Sequence, residues 1–444
     1  MITVHNQGDP AVVFLRPRPF AKCSGRLVLL PLLPYKTPPK PLPSEVWTKV
    51  FGYLFDEYRV TSDCQNKSGL VASRTSLLLI CKNLTDIALP IFYEHVHIYL
   101  VSALERFTQR LYVAEQNWDS LRRIPYSTPG RWVQTLDLSD LQCSLWAEVC
   151  HIDNLLTRLF PLLPFVSNIT LNPSITLSQR VFDCLCGRDG NNRLRYLKGL
   201  KLNSPFCALD ERLVDLLRYC PNLVELECSG SGLEGPPPDL TQEAEVEFDG
   251  AARTLYLPRL QKIIMISMFS SPVMLALLHS PLPNLTHLTV TPYDDISIPT
   301  SLVPKLIEKH GPMLTSLHLY APKTWPTMLF PSPTTLLHTC PKLRHLSLEN
   351  PLPTLTICSI YPKHPLQILS IPRPDPDFLT VLESLLPKLP ALKAVRARDV
   401  RWLRAGMGAI AREAGVQGEM HDWKRRLGRR GVHILDADWQ RSLN

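Results

Sequence analysis

No apolar run in this sequence approaches the length of a membrane-crossing helix. The most apolar early run, LVLLPLLP at Leu27–Pro34, is eight residues long and holds two prolines, whereas a bilayer requires about 20 apolar residues. It also lacks the small-residue cleavage site of a secretory signal. No membrane partner is therefore expected, and the expected location is cytoplasmic or nuclear. Glycine is scarce, at 19 residues against 42 prolines, which suits many short elements divided by turns and excludes a few long ones. Paired cysteine motifs are missing. None of the twelve cysteines forms a CxxC, and Cys184 and Cys186 stand two apart, too close for a zinc loop and without a second pair. Reduced thiols in apolar surroundings, such as Cys81, Cys143, Cys150, Cys220 and Cys340, are expected. Catalytic signatures are also absent: there is no GxSxG, HExxH, phosphate-binding loop or kinase set. GSGLEG at Gly230–Gly235 matches GxGxxG after a predicted strand, but Pro236, Pro237 and Pro238 follow it. A dinucleotide site needs a helix N-terminus there, so this stretch reads as a loop. No cofactor, no resident metal and no catalytic residue are expected.

What is present argues for a well-packed chain. Hydrophobic residues make up 45% and charged residues 20% of the 444, a balance that can bury a sizeable core. The net charge of +8 is unevenly placed. Leu233–Ala252 holds six acids and no base, whereas Arg396–Asn444 holds eleven Lys and Arg against six acids, 11 − 6 = +5. A basic tail is compatible with a solvated face or with an acidic partner such as nucleic acid.

Leu42–Leu54, LPSEVWTKVFGYL, is the stretch around which the N-terminal part is organised. Pro43 suits a first helical turn, and Val46, Val50 and Leu54 recur every four residues beside Trp47 and Phe51. This spacing predicts an amphipathic helix with an unsatisfied apolar stripe. A second block, Ser76–Ile98, carries Leu77, Ile80, Cys81 and Leu84 at helical spacing, and Pro90 is expected to end or kink a second short helix over Ile87, Ala88 and Leu89. Leu42, Pro43, Glu45, Val46, Val50, Phe51 and Leu54, followed by Leu79, Cys81, Lys82, Ala88, Pro90, Tyr93 and Val96, resemble an F-box of the fungal kind. The departure is the polar insert Asp56–Thr75, longer than the usual turn. The resemblance implies a small all-α module that docks on a Skp-type adaptor and, through it, a cullin. The residues implied to dock are Leu42, Pro43, Val46, Val50, Phe51 and Leu54.

Beyond a helical stripe at Leu104, Phe107 and Leu111, the pattern L-x-x-L-x-L recurs ten times. It starts at Val133, Val166, Leu197, Leu223, Leu260, Leu285, Leu314, Leu343, Leu366 and Leu392, a period of about 28 residues with a longer step across the acidic insert. Short helical stripes and proline-bearing turns such as YCPNL and TCPKL separate the strands. Each unit hides positions 1, 4 and 6 and leaves 3, 5 and 7 facing away, and neighbours stack to complete one another's core. This resembles leucine-rich repeats of the long, helix-bearing type over about Arg131–Asp399. The expected fold is α/β: a leucine-rich-repeat solenoid with a curved parallel sheet and helices on the convex side, preceded by a small all-α F-box.

The expected division is a leader at 1–41, the F-box at 42–99, a helical linker at 100–131, the solenoid at 132–400 and a basic C-terminal cap at 401–444, with a helix over Trp402–Arg412 and a final strand in GVHILDADW. Outward positions include Asp137, Lys201, Glu225, Glu227, Lys262, Arg396 and Arg398. Three consecutive units present His287, His318 and His345, for which a metal site, a recognition patch and plain solvated surface all remain open. With Tyr320 and Glu349 they form the expected target-binding set, titrating between about pH 5 and 8. The function expected from both resemblances is a non-catalytic subunit of a Skp/cullin/F-box ubiquitin ligase that recruits a target protein. The rival is a leucine-rich-repeat scaffold that meets nucleic acid through its basic C-terminal segment.

Overall fold

The computed structural model describes residues 42–60, 78–79, 82–117, 128–143, 145–202, 209–230, 254–268, 271–292, 301–322, 329–357, 363–402 and 416–441. The leader at 1–41, the insert Leu233–Ala252, most of the polar insert after Val60, and Leu77, Ile80 and Cys81 lie outside them. The chain divides into two compact units, Met1–Ile91 and Phe92–Asn444. Among the described residues, no helix is long and apolar enough to cross a membrane.

Helix α1 spans Ser44–Val60 and so continues past Leu54 into the first residues of the polar insert. The Pro43 carbonyl accepts from the amides of Val46 and Trp47 at 3.1 and 3.3 Å, which starts the helix. Trp47, Phe51 and Phe55 follow one another along it with ring centroids 6.2 and 6.1 Å apart. Helix α2, Lys82–Glu94, contains Pro90 in its interior, so of the two expected outcomes, an end or a kink, the helix does not end there. Proline removes one N–H and crowds the carbonyl four residues back. Beyond it, Tyr93 packs on the rings of Phe107 and Trp132, 6.3 and 6.0 Å away.

The second unit is built on a single twelve-stranded sheet whose strand order is the chain order. The strands are β1 His95–His97, β2 Thr135–Asp137, β3 Asn168–Thr170, β4 Tyr196–Lys201, β5 Glu225–Ser229, β6 Lys262–Ile266, β7 His287–Val290, β8 Ser316–Leu319, β9 His345–Ser347, β10 Ile368–Ile371, β11 Ala394–Ala397 and β12 His433–Leu435. Every neighbouring pair is parallel. Parallel neighbours need a crossover, and short helices supply most of them: α3 Val101–Gln116, α4 Trp146–Leu159, α5 Gln179–Cys186, α6 Leu209–Arg218, α7 Pro272–His279, α8 Val303–His310, α9 Leu336–Thr339, α10 Pro376–Leu385 and α11 Val416–Gly428. From α3 to α8 each helix packs on the next. The second unit therefore forms an open leucine-rich-repeat solenoid, with helices on one face of the sheet and, among the described residues, no pairing of β1 with β12.

The register follows the side chains. Leu288, Leu317, Leu346, Leu369, Val395 and Ile434 lie opposite one another in successive strands, and all are buried. A second device repeats with them. In the middle of the sheet, the carbonyl of the residue before a strand's first position accepts two consecutive amides from the next unit. Gln261 O takes Thr286 and His287 N at 2.9 and 3.0 Å, Thr286 O takes Thr315 and Ser316 N at 2.9 and 3.0 Å, and Thr315 O takes Arg344 and His345 N at 2.8 and 3.0 Å. Helix starts are fixed locally. Ser271 accepts from the Met274 amide in front of α7, and Asp375 from the Asp377 and Phe378 amides in front of α10, each with proline in the first turn.

One repeat is displaced from its expected place. Leu197 pairs with Ile169 and Leu226, which are fourth positions, so the third unit begins at buried Leu194 rather than at Leu197. The register then shifts between Leu197 and Leu200. Gly199 absorbs the extra residue at φ +71°, where a Cβ would sit 1.9 Å from the Leu171 carbonyl oxygen. Only glycine fits this approach. Lys201 accordingly takes a seventh position, opposite Ser229.

At the far end, α11 buries Met420, Trp423 and Leu427, and β12 completes the sheet as the sequence suggested. The helix expected over Trp402–Arg412 falls mostly outside the described residues, and α11 lies further along. Arg426 of α11 grips the Glu383 carboxylate of α10 with both Nε, at 2.8 Å, and Nη2. Cys220, Cys228 and Cys340 are buried free thiols, but Cys150 is exposed on α4, against the expectation for that residue.

Candidate functional site

Residues at positions 3, 5 and 7 of each unit point away from the helices, because side chains alternate along a strand. On β8–β11 this rule gathers His318, His345, Ser370, Arg396 and, just beyond the strands, Tyr320, Glu349 and Arg398. A cavity of about 780 Å³ opens over them and extends back to Glu227 on β5.

The imidazoles meet directly. His318 Nε2 lies 3.0 Å from His345 Nδ1, with ring centroids 4.4 Å apart and planes at 73°. The other nitrogen of His345, Nε2, lies 3.0 Å from Ser370 Oγ. Burial first, then Arg398, His287, Lys262 and Arg396, push His318 down to about 4. Burial and then His318 and Arg396 push His345 to about 4 as well. Both rings are thus neutral at ordinary pH, which corrects the expected titration between about 5 and 8. Sequence spacing brings cations near these rings but cannot reveal how deeply they are covered.

Two arginines flank the pair. Arg398 donates from Nη2 to the Leu348 carbonyl at 2.7 Å and to Glu349 Oε2 at 2.9 Å, and the same Oε2 faces the Ala321 amide at 3.4 Å. Arg396 donates to the Ala437 carbonyl at 2.6 Å and lies over the Trp439 ring with Cζ 4.3 Å from its centroid. Trp439 in turn stands 6.2 Å from His345, ring edge to face.

Of the expected target-binding set, the cavity brings together His318, Tyr320, His345 and Glu349. His287 does not join them. It sits on β7 with its Nδ1 2.8 Å from Thr286 Oγ1. Among the described residues, no group of three His, Cys, Asp or Glu side chains could hold a metal. The geometry explains this for the histidines, since the facing nitrogens of His318 and His345 share a hydrogen with each other. Ser370 was legible as a fifth position of its unit, but Trp439 follows the last repeat, where no periodicity marks it.

Ser370, His345 and His318 have the spacing of a nucleophile, base and orienting group. Ser370 is only 1% exposed, and a base near 4 takes little share of a hydroxyl proton. The relay holds the His345 ring between Ser370 and His318. What the face can do is bind: it offers neutral imidazole, guanidinium, carboxylate and phenol groups around a preformed cavity.

On α1 and just before it, the apolar residues separate into two sets. Leu42, Val46 and Val50 are 52%, 40% and 37% exposed, whereas Phe51 is 2% exposed. Leu54 is intermediate and Pro43 exposed. Of the residues expected to dock on an adaptor, Phe51 is thus on the packed side.

No family model matches the chain, and no curated protein matches it. Among solved structures, the chain is similar to a protein from Bacteroides fragilis at 12% identity, covering 69% of this chain and 76% of that one with a TM-score of 0.34. It is also similar to the leucine-rich repeat-containing protein LegL7 from Legionella pneumophila at 15% identity, covering 65% of this chain and 89% of that one, again with a TM-score of 0.34.

Proposed function

We propose that the chain is a non-catalytic, target-recruiting subunit of a Skp/cullin/F-box ubiquitin ligase, acting in the cytoplasm or nucleus. The observation that carries this reading is the exposed apolar set formed by Val46 and Val50 on α1 and Leu42 just before it, on the residues that resemble an F-box. Full burial of such side chains against a Skp-type adaptor stabilises a complex by about 1.5–3 kcal/mol each. The open face of β8–β11, with His318, Tyr320, His345 and Glu349, would hold the target. The ligase would then act by proximity, raising the effective concentration of a target lysine at the conjugating enzyme.

The nucleic-acid reading finds less support. Arg426 is engaged with Glu383, Arg401 with Asp438 at 3.1 Å, Arg425 with Asp422 at 2.5 Å and Arg398 with Glu349. These cations of the C-terminal segment already have anionic partners within the protein.

Co-purification of an adaptor with the intact chain and with the Val46→Asp, Val50→Asp variant tests the reading. Both positions are exposed, so the variant should fold, and it should lose the adaptor. Undiminished recovery of the adaptor would remove the proposal.

A further inference from the structure

Among the described residues, three charges lining the cavity have no ion-pair partner: Glu227 at one end, and Arg396 and Asp399 at the other. At the β5 end, Glu225 takes both neighbouring lysines, Lys198 at 2.7 Å and Lys262 at 2.8 Å. Glu227, two residues on and lining the cavity, is left without a cation among the described residues. At the β11 end, Arg396 has a carbonyl and an indole ring as its close partners; among the described residues no carboxylate lies within ion-pair distance, although Asp436 and Asp438 favour its charge from further off. Its Nε is buried with no hydrogen-bond partner, as is that of Arg398. A buried guanidinium N–H without an acceptor is costly, and these two border a cavity. Between the ends, the floor passes from Ile264 and Ile266 on β6 through Thr289 to His318.

We infer that this cavity takes an extended peptide segment lying across the strands, with a basic residue at the β5 end and a carboxylate or phosphate at the β11 end. The inference rests on the reading that the open face recruits the target, and it is independent of adaptor docking. From β5 to β11 there are six interstrand steps, which span about 29 Å at about 4.8 Å each. At 3.3–3.6 Å per residue an extended chain covers this in about eight or nine residues. The apolar side chains of Ile264 and Ile266 place a hydrophobic residue beside the basic one. The neutral His318–His345 pair leaves His318 Nδ1 to meet a backbone group midway, as donor or as acceptor according to which ring holds the hydrogen between them.

The test uses the full chain and acetylated, amidated nine-residue peptide pools labelled with fluorescein and randomised at the seven central positions. One end carries Lys and the other Asp or phosphoserine, in both chain directions. Control pools carry Gln at one or both ends. Fluorescence anisotropy should show at least one two-charge pool binding about tenfold more tightly than its single-Gln counterparts, the expected worth of one charge-assisted contact. Arg396→Gln should abolish the preference for the acidic end alone, and Glu227→Gln the preference for the basic end alone. The Asp and phosphoserine arms separate the two anion sources. Equal binding of charged and uncharged pools, no binding of any pool, or unchanged preferences in both variants would overturn the inference. The wider reading falls separately, if a His318→Ala, Tyr320→Ala, His345→Ala variant that still folds labels the same neighbours in cells as the intact protein.

Discussion

His318 and His345 hydrogen-bond across adjacent strands although they are not opposite each other. The register sets Ser316 against His345 and His318 against Ser347, so the 3.0 Å contact is a diagonal one. A diagonal pair is reached only by long side chains, and it ties the third position of one unit to the fifth of its neighbour.

This pairing has a consequence for pH. Both rings have folded values near 4 against an unfolded value of about 6.5. Below about 6.5 the unfolded chain takes up protons that the folded chain does not, so stability falls as pH drops from about 6.5 to about 4 and then levels. Above about 6.5 the two rings add no pH dependence. Denaturant midpoints measured from pH 7.5 to 4 should show this slope, and it should shrink in His318→Gln and in His345→Gln.

Core leucines of the sheet carry a larger load. Leu317 and Leu346 are fully buried fourth positions. Replacing either with alanine should cost about 2–5 kcal/mol through lost burial and the cavity left behind, read as a shift in urea midpoint. Leu317→Met, which nearly conserves volume, should cost under about 1.5 kcal/mol.

Gly199 should tolerate no side chain. Gly199→Ala puts a β-carbon against the Leu171 carbonyl at a positive φ, and the dihedral alone costs about 1–3 kcal/mol. Calorimetry of the variant should show a lower transition temperature, whereas Gly418→Ala, where a β-carbon meets nothing within 4 Å, should be neutral or stabilising.

The C-terminal helix is held more by packing than by charge. Trp423→Ala should cost about 3–5 kcal/mol. Arg426→Ala breaks a surface pair with Glu383, which solvent screens, and should cost far less. Hydrogen exchange in α11 should accelerate strongly in the first variant and slightly in the second.

The solenoid was legible because a period of about 28 residues recurs more often than chance allows, and because an apolar triplet at positions 1, 4 and 6 has one way to face a core. The third unit was misplaced by three residues because Leu194, Leu197 and Leu200 are all apolar and spaced by three. Nothing in that spacing separates the two registers until Gly199 is seen at a positive φ. At Pro90 the sequence left an end or a kink open, because the local rule does not say whether the helix runs on. At the candidate site the histidines were found by alternation, since facing direction is a strand property. Their shared hydrogen, their coverage and the approach of Trp439 depend on residues between 27 and 94 positions away in the chain, which no local pattern encodes.

Because strand order repeats chain order, β1 and β12 stand at opposite edges of one sheet. A pull applied to the two ends of the chain would load the outermost strand's hydrogen bonds in succession rather than all at once. The molecule should therefore come apart at low force, one unit at a time, in a sawtooth. Each step should release about 28 residues, close to 90–100 Å of extended chain. The step that includes the insert between β5 and β6 should be visibly longer than the rest, which makes that single length an internal ruler for which unit has yielded.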